Sequence, residues 1–144
     1  MRRILHTMLR VSDMQESVNF YTQILGMRIL RTLKQPTEKY TLVFLGYDDE
    51  SQTCALELTY NYGISNYELG DAFGHIAISV DNCRDTCNEI KGKGGTIVLE
   101  PKPLTGSNEI IAFVIDPDGY KIELIQRITN YADNNPLGIE RSHI

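Results

Sequence analysis

No long run of lysine or arginine occurs in the 144 residues, and acidic side chains outnumber basic ones by 19 to 14, for a formal charge of -5. Phosphate binding needs concentrated positive charge, so a nucleic-acid surface is excluded and a small-molecule partner is expected. Long apolar runs are lacking as well. The basic opening MRRILHTMLRV is interrupted by His6 and Arg10, so neither a signal-peptide core nor a membrane span can be drawn through it, and a cytoplasmic location is expected. Cysteine is scarce and odd in number, at Cys54, Cys83 and Cys87, which argues against a disulfide framework. Cys83 and Cys87 stand four apart, as two ligands on one helix face would. No matching pair of thiols occurs elsewhere, and the two are read as small buried apolar residues of a helix.

With 42% hydrophobic residues the chain can form one compact core or two small modules sharing an interface. A repeat decides between them. LHTMLRVSDMQESVNFYTQILGMRI and GHIAISVDNCRDTCNEIKGKGGTI follow one plan: a histidine, a strand, an Asp-containing turn, a helix and a glycine stop. In the first copy Ser12 or Asp13 can cap the helix, Asp13 and Glu16 are spaced as a loose capping box, and Gly26 ends it. In the second, Asp81 or Asn82 starts the helix, and Gly94 and Gly95 close it. Gly26 follows His6 by twenty residues, as Gly95 follows His75, which marks two versions of one unit. KYTLVFLGYDDESQTCALELTYN and NEIIAFVIDPDGYKIELIQR then each read as strand, turn, strand, with DPDG as strong turn chemistry. The expected fold is α+β, two βαβββ modules at about 1-66 and 67-127. A polar surface tail, 128-144, carries the third histidine, His143.

Glu57 and Glu123 occupy equivalent places in the last strand of each half, in ALELT and KIELI, 51 and 48 residues after their histidines. The longer first hairpin, YDDESQ, can absorb the difference. Strand alternation puts His6 with Met8 and Arg10, Glu57 with Thr59 and Asn61, and His75 with Ala77 and Ser79, each set on one face. The opposite face of the last set carries Ile76, Ile78 and Val80 as core. Taken singly, a histidine at a strand start is most simply structural and a glutamate in an alternating strand most simply solvated. Matched in both repeats, two imidazoles and two carboxylates form a ligand set for a divalent metal, with room for water or substrate.

LHTMLRV, NFYTQILGM, YTLVFLGY, ALELTYNYG, FGHIAISV and AFVIDPDGYKIELI together resemble the glyoxalase I family (lactoylglutathione lyases) in its short bacterial-type form, within the vicinal oxygen chelate superfamily, over residues 4 to about 127. The resemblance implies metal ligands at His6, Glu57, His75 and Glu123. It also implies a homodimer in which His6 and Glu57 of one subunit meet His75 and Glu123 of the other. Nickel is the expected metal, with cobalt or zinc as substitutes. The implied reaction isomerises the hemithioacetal of methylglyoxal and glutathione to S-lactoylglutathione, which needs a base near C1, a Lewis acid on the two vicinal oxygens of the enediolate and a proton delivered to C2. By the same resemblance Glu123 is the principal base, Glu57 assists it, and Arg10 and Asn61 bind glutathione.

The chain departs from the family where basic residues are often found, with Asp71 before His75 and with Thr105 and Ser107 in the later loop. Lys102 can substitute there, and a related thiol with fewer carboxylates is the alternative co-substrate. Other members of the fold supply the competing readings: an extradiol dioxygenase using two histidines and one glutamate, an acyl-CoA epimerase, or a drug-binding dimer of the bleomycin-resistance type. The fourth ligand, Glu57, and LELTYNYG favour glyoxalase.

Overall fold

In the computed structural model, which describes residues 1-127, the alternating segments become two four-stranded sheets. The first half runs β1 (His6–Arg10), α1 (Met14–Asn19), β2 (Arg28–Gln35), β3 (Tyr40–Gly46) and β4 (Ala55–Asn61). The second runs β5 (His75–Ser79), α2 (Cys83–Gly92), β6 (Thr96–Pro103), β7 (Glu109–Ile115) and β8 (Lys121–Arg127). The sheet orders are β1-β4-β3-β2 and β5-β8-β7-β6. In each sheet the first and last strands pair in parallel and the remaining neighbours are antiparallel. The two βαβββ units read from the repeat are therefore present.

By contacts the chain divides into Met1–Phe73 with Asp116–Gly119, and Gly74–Ile115 with the described residues from Tyr120 on. The division falls at Phe73/Gly74, in the same connection between β4 and β5 that holds residue 66, and the DPDG turn belongs with the first unit. There the Asp118 carboxylate accepts hydrogen bonds from the Ser12 hydroxyl (2.6 Å) and backbone N–H (3.1 Å), while the buried Tyr21 hydroxyl donates to Asp116 at 2.7 Å. Ser12 is engaged in this way, and Asp13 caps α1 by accepting the Glu16 N–H at 2.9 Å. Asn82 caps α2 by accepting the Asp85 N–H at 3.0 Å.

The two helices end differently, which corrects one equivalence drawn from the sequence. Each ends at a glycine with positive φ, but these are Gly26 (φ 75°) and Gly94 (φ 87°), not Gly95. Gly94 donates to Lys91 and Gly95 to Ile90, which closes α2 in a Schellman motif. The first copy carries one extra residue between cap and glycine. It is wound into a π-helical turn, Phe20–Ile24, where the Leu25 N–H reaches back to the Phe20 carbonyl at 3.1 Å. A π-turn is how a helix takes up an inserted residue without ending. The strands that follow are back in step, and each bulges at the same place, between Ile29 and Arg31 in one and Ile97 and Leu99 in the other.

One face of each sheet packs on its helix. Leu9, Val11, Val43, Leu45, Leu56 and Leu58 share their burial with Phe20 and Tyr21 on the α1 side, and Val114, Ile122 and Leu124 are buried, as are Cys83, Cys87 and Ile90 of α2. Each such leucine or isoleucine contributes about 2 kcal/mol on burial. All three cysteines are free, and burial pushes the Cys83 and Cys87 thiols up from their ordinary range, as expected of packing residues. Ile76, Ile78 and Val80, read as core, are half-buried. Among the described residues no helix is long and apolar enough to cross a membrane. The tail 128-144, with His143, lies outside the described residues.

Removing either cap leaves an orphaned N–H at a helix start. Asp13→Ala and Asn82→Ala are each expected to cost about 1 kcal/mol, read from the urea midpoint at unchanged slope. Midpoints equal to wild type in both would contradict the capping geometry.

Candidate metal centre

The face away from the helix carries the polar side chains. Because β1 runs parallel to β4 with His6 opposite Ala55 and Met8 opposite Glu57, His6 and Glu57 are diagonal neighbours on this face, within reach of long side chains. The His6 Nε2 lies 2.8 Å from Glu57 Oε2. In the second unit His75 is opposite Lys121 and Ala77 opposite Glu123, and His75 Nε2 lies 2.7 Å from Glu123 Oε2. The likeness extends further: both glutamates are 8% exposed, and each imidazole meets a phenylalanine ring edge to face, Phe44 at 5.6 Å and Phe113 at 5.1 Å.

Of the four residues read as ligands, the structure joins His6 to Glu57 and His75 to Glu123. Among the described residues it gathers no three His, Cys, Asp or Glu side chains at one point. Each pair offers one imidazole nitrogen and one carboxylate, donors suited to nickel, cobalt and zinc alike. Two such pairs make the expected set of four, so the residues present fit a divalent metal.

Arg10 is exposed on the same face, opposite Thr59 in β4. Asn61, two residues further along β4, donates from its amide to the Tyr67 hydroxyl at 3.2 Å. Arg10 and Asn61 thus border one end of the first sheet's polar face. Asp71 is exposed, Thr105 and Ser107 lie between β6 and β7, and the Ser107 hydroxyl is occupied by the Glu109 N–H at 3.0 Å.

Strand alternation puts Thr59 on the face of Glu57, but several contacts around the pairs were not anticipated from the sequence. Thr59 donates to the second oxygen of Glu57 at 3.4 Å. Arg31 lays its guanidinium over the Phe44 ring, 3.6 Å from the centroid, and grips Glu50 at 2.7 and 3.2 Å. The hydrogen bond from Arg31 holds the Glu50 carboxyl below its ordinary range. Glu50 sits in the connection 47-54, eight residues long against five in 116-120, and Arg28 approaches Asp48 and Asp49 of the same loop at 3.8 and 3.6 Å. The available signal was the recurrence of Phe in LVFLG and IAFVI. It becomes meaningful only with the strand register.

Comparison with known proteins extends these observations. A family profile described as Glyoxalase/Bleomycin resistance protein/Dioxygenase superfamily matches residues 3–124. A protein of Escherichia coli O157:H7 named lactoylglutathione lyase is 55% identical over 124 residues, 86% of this chain and 92% of that protein. The crystal structure of glyoxalase I from Zea mays aligns with a TM-score of 0.84 at 48% identity, covering 87% of this chain. The chain spans only 44% of the length of that maize protein. The trypanothione-dependent glyoxalase I of Leishmania major aligns with a TM-score of 0.79 at 46% identity, over 88% of this chain and 87% of that one.

The geometry sets a test of the ligand set. To hold a metal through Nε2, each imidazole would exchange its glutamate contact for a metal bond. Titrating the metal-depleted protein with Zn²⁺ is expected to move the Nε2 nitrogen resonances of His6 and His75 together, saturating at the same stoichiometry. Movement of one alone would refute a site built from both pairs.

Proposed function

The chain belongs to the Glyoxalase/Bleomycin resistance protein/Dioxygenase superfamily, and from that premise we propose that it is a lactoylglutathione lyase of the glyoxalase I type. It isomerises the hemithioacetal of methylglyoxal and glutathione to S-lactoylglutathione and so removes methylglyoxal. The observation that carries this reading is the matched pair of His–Glu contacts, one in each unit. An extradiol dioxygenase needs only three such ligands, and a drug-binding dimer needs none.

His6, Glu57, His75 and Glu123 would hold a divalent metal, for which we propose nickel, with cobalt and zinc as substitutes. When bound, the metal supplies a Lewis acid that draws charge from the two vicinal oxygens of the substrate. The chain itself moves one proton. Glu123 takes it from C1 and returns it to C2, so the product is an isomer and no electron acceptor is required. Glu57, from the other unit type, assists. Arg10, four residues beyond His6 and so roughly 13 Å along the strand, reaches the γ-glutamyl carboxylate, with Asn61 beside it.

Each unit supplies two of the four ligands, and from the family resemblance we propose a homodimer in which His6 and Glu57 of one copy meet His75 and Glu123 of the other. The free cysteines accord with a cytoplasmic location, where glutathione is abundant. Glutathione is the proposed thiol. The trypanothione dependence of the Leishmania major glyoxalase I, together with Asp71, Thr105 and Ser107, makes the thiol the point to test, by assaying methylglyoxal turnover with glutathione and with trypanothione.

Two variants test the arrangement. If each site draws on two copies, subunit exchange between the impaired Glu57→Gln and Glu123→Gln proteins regenerates one intact site per heterodimer. Activity then rises above that of either parent. Activity no higher than the parents' mean, in heterodimers shown to have formed, would mean that each copy closes its own site.

The base is tested separately. Glu123→Gln keeps an oxygen ligand but cannot accept a proton, so its turnover at verified full nickel occupancy is expected to fall by about a hundredfold or more. Glu57→Gln should lose less. The reverse ranking would move the base to the first unit.

A further inference from the structure

The two His–Glu pairs match in their nitrogen–oxygen distances, 2.8 and 2.7 Å, yet the proposed chemistry asks more of one carboxylate than of the other: Glu123 carries the proton and Glu57 only assists. The difference must come from what surrounds the pairs. Register supplies the comparison. Across the first sheet one row on the polar face reads Met8, Glu57, Phe44, Arg31, and the corresponding row of the second reads Ala77, Glu123, Phe113, Leu99. The next position toward the strand ends holds Arg10 opposite Thr59 in the first unit and Ser79 opposite Ile125 in the second. Arg31 and Thr59 thus stand where the second unit has Leu99 and Ile125.

Each replacement has a visible consequence. Thr59 gives Glu57 a hydrogen bond on Oε1 while His6 takes Oε2, so both oxygens are held. Ile125 has no donor, and Glu123 is held through Oε2 by His75. Arg31 is itself immobilised by two hydrogen bonds to Glu50, a fork that fixes a guanidinium plane better than an ammonium could be fixed. It covers the Phe44 ring from one side while His6 meets it from another, and Phe44 is only 3% exposed. Phe113, beside Leu99, is half-buried. The first pair is clamped and the second is not.

We propose that Arg31 and Thr59 are positioning residues that hold Glu57 in place as the fixed carboxylate, and that Leu99 and Ile125 at the matching places leave Glu123 as the one able to swing. Both are given a role through their neighbours and none in the proton transfer itself. Arg31 acts through Phe44 and Thr59 acts through Glu57. The proposal rests on the assignment of Glu123 as base, and it explains how a duplicated unit comes to have one static and one working half.

The test converts the first unit into a copy of the second with Arg31→Leu and Thr59→Ile, singly and together. Two measurements are made. In the metal-depleted protein, aromatic carbon relaxation gives the ring-flip rates of Phe44 and Phe113. Phe44 is expected to flip more slowly than Phe113 and to speed up by about fivefold in Arg31→Leu, the scale of an exposed cation–π contact. Equal rates in the wild type, or no change on substitution, would overturn the clamp. At full metal occupancy, the turnover cost of Glu123→Gln is then compared in the wild-type and doubly substituted backgrounds. With Glu57 released it can take over part of the proton transfer, and the cost is expected to shrink from about a hundredfold to about tenfold. An undiminished cost with normal metal binding and melting temperature overturns the positioning role while leaving Glu123 as base. Absence of any cost in the wild-type background defeats the base assignment itself, whatever the ring rates show.

Discussion

Everything at the candidate centre depends on the parallel pairing of the first strand of each unit with its last. A histidine near the start of β1 and a glutamate fifty residues later become diagonal neighbours only because β1 lies against β4 and not against β2. Parallel neighbours need a long crossover, and the helix together with an antiparallel pair of strands supplies it. The helix must then cover one face of the sheet, where Leu56 and Leu58 are buried. Strand alternation sends Glu57 to the other face. The carboxylate's position is therefore a consequence of the same pairing that forms the hydrophobic core. Little freedom remains to move one without the other.

The repeat, the element order and the four candidate ligands were legible because they are written in local patterns: alternation along strands, capping residues before helices, glycine after them, and a histidine and a glutamate at matching distances. What was not legible depends on lateral register. Nothing in the sequence near Arg31 or Phe44 says that they are opposite each other, since the turn between β2 and β3 sets that register, and in the second unit a bulge between Leu99 and Lys102 intervenes as well. The mismatch of Gly95 with Gly26 has a similar origin. Counting from the histidine assumes a helix of constant pitch, and the π-turn at Phe20–Ile24 breaks that assumption. Ser12 was a fair candidate for the cap on composition alone. Its hydroxyl is instead drawn to Asp118, 106 residues away, a partner that no window along the chain could contain.

Duplication gives the two units equal donors, and the substitutions around those donors make them unequal. That division of labour is economical in sequence. The residues that would touch a metal remain the same in both halves, whereas Thr59 and Ile125, or Arg31 and Leu99, can diverge because they sit one contact further out. The loop bearing Glu50 belongs to the same pattern: it is the longer of the two hairpin connections, and its acidic residues meet arginines on β2. Exposed ion pairs of this kind add little to global stability. Their effect here is local, in fixing the orientation of a guanidinium that is already stacked on a ring.

The extra residue in the first helix shows how such a unit tolerates a change of length. A residue inserted into a strand would send every later side chain to the opposite face, taking Arg31 off Phe44. Inserted into the helix, it widens one turn and is spent before Gly26, so the strand begins in step. The π-turn is in effect a reel of slack, and a lineage carrying this architecture can gain or lose residues there while the chemistry on the far side of the sheet goes on undisturbed.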